Sequence, residues 1–225
     1  MKQFLSEEES RRIAAAVAKA EEKSGGEIAT AVIAESDDYG FQELAFGVIL
    51  GFIAFTLAAL LGGSIEAYFS SLVWSFNPGL LPFIYSWLAL FFGALSYFIA
   101  QIPAVDRLII PNRVMAAAVQ ARARRYFIEA GVHDTLDQTG ILIFVSLLER
   151  RVELIADRGI NAKVDPEIWN KIVDRMIGKI SAGELTEAMV EAIHECGDIL
   201  AEKIERRQND SNELGDAPEE LERGS

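Results

Sequence analysis

The sequence predicts an α/β domain interrupted by a two-helix transmembrane hairpin. Three observations carry that reading. The only charged side chain between Leu44 and Val105 is Glu66, and no Lys or Arg occurs between Lys23 and Arg107. Short apolar runs typical of buried strands stand on both sides of that stretch, at 27–34 and 140–148. The flanking segments are rich in charge and show helical periodicity, so the overall 51% apolar content is an average of two unlike parts. A uniform soluble globule and a fully disordered chain are both excluded by that contrast.

Residues 6–23 read as an amphipathic helix. Ser6 and Glu9 have capping-box spacing. Ile13, Ala16, Val17 and Ala20 share one face, and Ser24-Gly25-Gly26 ends the helix. EIATAVIA at 27–34 follows as a short buried strand. One helix and one strand, residues 1–38, cannot form a core alone.

Residues 44–63 and 80–102 are uncharged over 20 and 23 positions. At about 1.5 Å rise per residue each is long enough to cross a hydrocarbon core of roughly 30 Å. The connection 64–79 holds Glu66, which would cost about 3 kcal/mol at mid-bilayer, and aromatics suited to an interface. Asn77-Pro78-Gly79 is a turn leading into the second span. Small residues recur at Gly47, Gly51, Ala54, Ala58 and Gly62, and at Ala89, Gly93, Ser96 and Ala100. Such stripes let helices pack closely. Two readings stay open: the spans pack on each other, or Gly47 and Gly51 join two copies. Neither span carries the acidic or ionic pair of an ion pathway.

Lys and Arg near the span ends set orientation. The loop has none, whereas Lys2, Arg11, Arg12, Lys19 and Lys23 precede the hairpin and Arg107, Arg113, Arg122, Arg124 and Arg125 follow it. Both termini are therefore expected in the cytoplasm, in a two-span protein of the cell membrane. The five later arginines either serve orientation alone or also meet anionic lipid heads. No secretory signal is read at the start, where residues 1–23 are charged and helical in pattern.

After the hairpin, Pro103 and Pro111 bracket a connector and 113–130 form a basic helix. Residues 131–139 form a polar loop. GILIFVSLL at 140–148 and RVELIAD at 151–157 read as strands of a hairpin turning at Glu149-Arg150, where Gly or Asn is missing. Asp165 caps the next helix and Pro166 opens it, with Ile168, Ile172, Met176 and Ile180 as its apolar stripe. A last helix runs from about Leu185 to Ile204, with Met189, Ile193 and Leu200 inward. The expected organisation is thus 1–38 and 105–205 as one domain of about 140 residues, 41–104 as the inserted hairpin, and 206–225 as an acidic disordered tail.

A net charge of −13 speaks against a nucleic-acid partner. The single Cys196 forms no internal disulfide. His133 beside Asp134 is a candidate for acid–base work or a solvated loop histidine. His194 and Cys196, two apart on a helix, point to different faces and make no zinc pair. Gly25-Gly26 lies between helix and strand, the wrong order for a phosphate cradle.

Several segments, in this order, resemble the TPM domain family: SGGEIATAVIAE at 24–35, RARRYFIEAGV at 122–132, DQTGILIFVSLLERRVELIADRGI at 137–160 and VDPEIWNKIVDRMI at 164–177. The resemblance covers about 5–35 and 113–204. It implies an α/β/α sandwich around a small central sheet. It also implies two functions found among members: assembly or modulation of membrane complexes, and weak divalent-cation-dependent phosphatase activity. Carried onto this sequence, the acids for a calcium or magnesium ion are Glu27, Asp137 and Asp165. Two positions depart from the family pattern. Its Asp-Asp turn is Glu149-Arg150, and its Gly-Tyr-Gly is Asp157-Arg158-Gly159. The expected function is a non-enzymatic membrane module for a membrane-protein partner, with the phosphatase as the alternative.

Overall fold

The computed structural model describes residues 4–135, 138–204 and 213–222. The chain divides into two compact units, one made of residues 1–38 and 112–225 and one of 39–111.

In the first unit, α1 (Glu7–Glu21) starts on the expected capping box. The Glu9 amide donates to the Ser6 hydroxyl oxygen, and the Ser6 amide donates to the Glu9 carboxylate at 2.8 Å. Strand β1 (Glu27–Ile33) follows. Past the inserted unit come α6 (Asn112–Glu129), β2 (Gly140–Ser146) and β3 (Arg151–Ala156). Next are the short α7 (Arg158–Asn161), α8 (Pro166–Ser181), α9 (Leu185–Lys203) and β4 (Glu219–Leu221). The sheet order is β3-β2-β1-β4. β1 runs parallel to β2, with Glu27 beside Gly140 and Ile33 beside Ser146, and β2 runs antiparallel to β3. The segment that cannot stand alone therefore pairs with the strand after the inserted unit, as expected.

The alternation of the strands explains why both are continuously apolar. Ile28, Val32, Ile141, Ile143 and Val145 point into one core with α1, α8 and α9. Ala29, Ala31, Ile33, Leu142 and Phe144 point into a second core with Val119, Ala123 and Tyr126 of α6. Helices cover both faces, which is the expected sandwich. Gly197 lets α9 approach α1, because a Cβ there would sit 2.6 Å from that of Ala20.

Two expectations change in detail, and the expected turn at Glu149-Arg150 is met by an unusual backbone. On α8 the buried positions are Trp169, Ile172 and Met176, while Ile168 is exposed. The bulky indole takes the first inward place. The β2–β3 turn works without Gly or Asn because Arg150 itself adopts φ +50° and Glu149 is held by side-chain hydrogen bonds. The tail expected to be disordered contains β4, paired in parallel with Ala31–Ile33. Backbone pairing at an open sheet edge needs no apolar periodicity, so composition alone misses it.

In the second unit, α2 (Gly40–Leu60) and α4 (Leu81–Ala100) are both long and apolar enough to cross a membrane. α2 begins before the expected span and breaks at Leu61 into α3 (Gly62–Leu72), so positions 61–63 leave the first long helix. Glu66 lies on α3, in the connection as expected. The Asn77 side chain accepts from the Gly79 amide at 2.9 Å and opens the turn into α4. A short α5 (Pro103–Ile109) closes the unit. The glycine stripe serves packing within the hairpin. A Cβ on Gly47 or Gly51 would lie 2.9 Å from the carbonyl oxygen of Gly93 or Ala89 respectively.

Candidate functional site

The three predicted acids stand in different environments. Glu27 opens β1 and is buried, and its carboxylate accepts the Leu214 amide at 3.3 Å. Asp165 is exposed and caps α8, accepting the Glu167 amide at 2.9 Å. Asp137 lies outside the described residues. Each described carboxylate thus holds a backbone amide, one inside the fold and one on its surface. Among the described residues no three His, Cys, Asp or Glu side chains gather as a metal site.

The other titratable candidates separate as their helical phase requires. His133 and Asp134 are exposed neighbours, with Nε2 3.5 Å from Oδ1. His194 is exposed on α9, while Cys196 is fully buried and its thiol is pushed up by desolvation. A buried thiol of raised pKa is inert as a nucleophile.

A polar cluster that the sequence reading misses lies at the carboxyl ends of β1 and β2. The Ser36 amide donates to Glu149 Oε1 at 2.9 Å, the Ser36 hydroxyl donates to Ser146 Oγ at 2.8 Å, and the Ser146 hydroxyl donates to Glu149 Oε2. A serine hydroxyl on a carboxylate is the pairing of a nucleophile and its base. Here Ser146 is 0% exposed and Glu149 only 5%, so the pair lies inside the fold. The cluster instead ties the β2–β3 turn to the segment leaving β1. Its sequence signal was a serine closing an apolar run, three residues before an acid.

A second unforeseen feature is the clasp formed by the C-terminal segment. The Tyr126 hydroxyl donates to Glu219. The Phe4 and Leu5 amides donate to the Glu220 carboxylate at 2.7 and 3.3 Å. Burial, and then the Glu219 carboxylate, push the Tyr126 hydroxyl above the usual tyrosine range. Leu214 and Leu221 pack against the α6-side core. Beside it on β3, Glu153 is held above the usual carboxylate range by desolvation, opposed by Arg151 and Arg124.

A groove of about 810 Å³ lies within the helical hairpin. Gly47, Gly51, Phe52, Ala89, Gly93 and Phe98 are among the residues lining it, and no charged side chain does.

The model of the TPM domain matches residues 107–199. That match begins beyond the two long helices, so the partnership of β1 with β2 rests on the structure. Among solved structures, the chain is similar to the NMR structure of the BA42 protein from the psychrophilic bacterium Bizionia argentinensis, at 17% identity. The alignment covers 98% of each chain with a TM-score of 0.57, a likeness of fold. No curated protein sequence matches the chain. Residues 107–199, from α5 to α9, thus match the TPM domain, in a chain whose fold is like that of BA42.

Proposed function

We propose that this chain is a two-span integral membrane protein whose TPM domain faces the cytoplasm. There it acts as a non-enzymatic binding, assembly or modulatory module for a membrane-protein partner. The observation that carries the reading is the outward direction of the apolar side chains on α2 and α4. Phe52 is 71% exposed, Phe83 66%, Trp87 71% and Leu90 63%. Water would penalise each such side chain by about 1.5–3 kcal/mol relative to burial, and lipid removes that penalty. The absence of Lys and Arg from the connection, against five arginines after the hairpin, supports termini on the cytoplasmic side.

The non-enzymatic reading is supported by the engagement of the candidate acids. A divalent-cation phosphatase on Glu27, Asp137 and Asp165 would have to draw Glu27 from the Leu214 amide and Asp165 from the start of α8. That makes it the weaker reading.

The test has two parts. The full chain, expressed in cells, should stay in the membrane pellet after alkaline carbonate, and a C-terminal reporter active only in the cytoplasm should be active. Cross-linking followed by mild detergent should then recover a stoichiometric membrane protein. Release by carbonate would sink the membrane assignment, and a chain that migrates alone after cross-linking would sink the partner assignment.

A further inference from the structure

We propose that the outer face of α6 is a docking surface for anionic lipid headgroups; this rests on the membrane reading above. α6 buries Met115, Val119, Ala123 and Tyr126 along one side. The opposite side of an ideal helix then carries Arg113, Ala117, Ala121, Arg124, Arg125 and Ile128, and all six are exposed. No acid stands among them. On the flank Glu129 is neutralised by Arg122 at 3.1 Å, and Arg124 also acts on Glu153 of β3. Ile128 is 61% exposed. A cationic face with alanines and one large apolar side chain is complementary to a negatively charged interface.

Few residues of chain separate the second long helix from α6. α4 ends at Ala100, α5 carries Arg107, and α6 begins at Asn112. The contrast with the rest of the molecule sharpens the point. In a chain of net charge −13, residues 107–128 hold five arginines and no acid. Orientation of the spans needs only the arginines nearest the span. Arg124 and Arg125 lie three turns further along the same helix face, beyond the arginines nearest the span.

An arginine close to an anionic surface is worth roughly fivefold in occupancy, so three together are worth on the order of a hundredfold. The experiment uses the full chain reconstituted into nanodiscs of phosphatidylcholine, or of equal parts phosphatidylcholine and phosphatidylglycerol. A single reporter thiol is placed at Ala121→Cys, and its alkylation by an uncharged, bulky maleimide is timed. The natural Cys196 is buried and does not compete. Ser181→Cys, exposed on α8, serves as the control.

The expected result is alkylation at Ala121→Cys at least tenfold slower in the phosphatidylglycerol discs, with Ser181→Cys unchanged. High salt, which shortens the screening length to about 3 Å at 1 M, should restore the fast rate. The triple variant Arg113→Gln, Arg124→Gln, Arg125→Gln should do the same, whereas the triple change to Lys should keep the slow rate. Equal rates in the two lipids, or slowing that survives the glutamine triple, overturns the proposal while leaving the membrane reading standing. A chain that does not co-elute with discs of either lipid overturns both.

Discussion

The two units of this chain use apolar side chains in opposite directions. In the α/β unit Ile141, Leu142, Ile143 and Phe144 are 0% exposed, and consecutive residues feed two separate cores. In the helical unit large apolar side chains such as Phe52, Phe83, Trp87 and Leu90 are exposed, and Gly47, Gly51, Ala89 and Gly93 bring α2 and α4 close. Hydrophobic burial organises the first. Close backbone approach organises the second, the packing that an apolar medium would favour. Apolar content alone therefore says little about stability. What matters is which side of the element it occupies.

The largest expected effect tests that contrast directly. Phe144→Ala should cost about 3–5 kcal/mol through the cavity it leaves, while Phe52→Ala, from a side chain 71% exposed, should cost well under about 1 kcal/mol. Denaturant titration of the full chain in detergent, followed by circular dichroism, measures both. Similar costs for the pair would mean that the hairpin packs as a core and that the contrast is wrong.

A smaller effect sharpens the account of the hairpin. Gly51→Val places a side chain against the Ala89 carbonyl, 2.9 Å from where its Cβ must stand, and should cost about 1–3 kcal/mol. Gly63→Ala meets nothing within 4 Å and should be close to neutral apart from propensity. Thermal melts in detergent, with disulfide trapping between cysteines on α2 and α4, separate a local splaying of the helices from general unfolding.

The smallest effect concerns the clasp on the α/β unit. Tyr126→Phe removes the bond to Glu219 and should cost about 1 kcal/mol or somewhat more. Its pH dependence follows from the raised hydroxyl. The contribution is complete below the unfolded tyrosine value of about 10 and is lost as pH climbs through the higher folded value. Amide exchange at Glu219–Leu221 should therefore accelerate above about pH 10 in the natural chain, and the Phe variant should lack that step. An alkaline step of equal size in both would assign the loss to another group.

Much of this architecture is legible in the residues because it depends on local chemistry. The capping box at Ser6 and Glu9, the Asp165-Pro166 helix start and the two uncharged helices are each encoded within a few turns of chain. That 27–33 pairs with a strand after the hairpin was inferable because a lone strand must find a partner, and the structure selects 140–146 over 151–156. The candidate site was less legible. Glu27 and Asp165 look equivalent as isolated acids, and only the fold buries one and leaves the other capping an exposed helix. Ser36 lies more than a hundred residues from Ser146 and Glu149, so no local pattern announces its bonds to them.

Sequence by itself thus determined which segments are helix, strand or bilayer-compatible, since periodicity, caps and the absence of charge are properties of neighbouring residues. Tertiary structure alone decided where the acids point, how the turn at Glu149 is held, and that Glu219–Leu221 completes the sheet. Those outcomes depend on hydrogen bonds between distant segments. Such bonds become favourable only once the core has brought their partners together and excluded water from them.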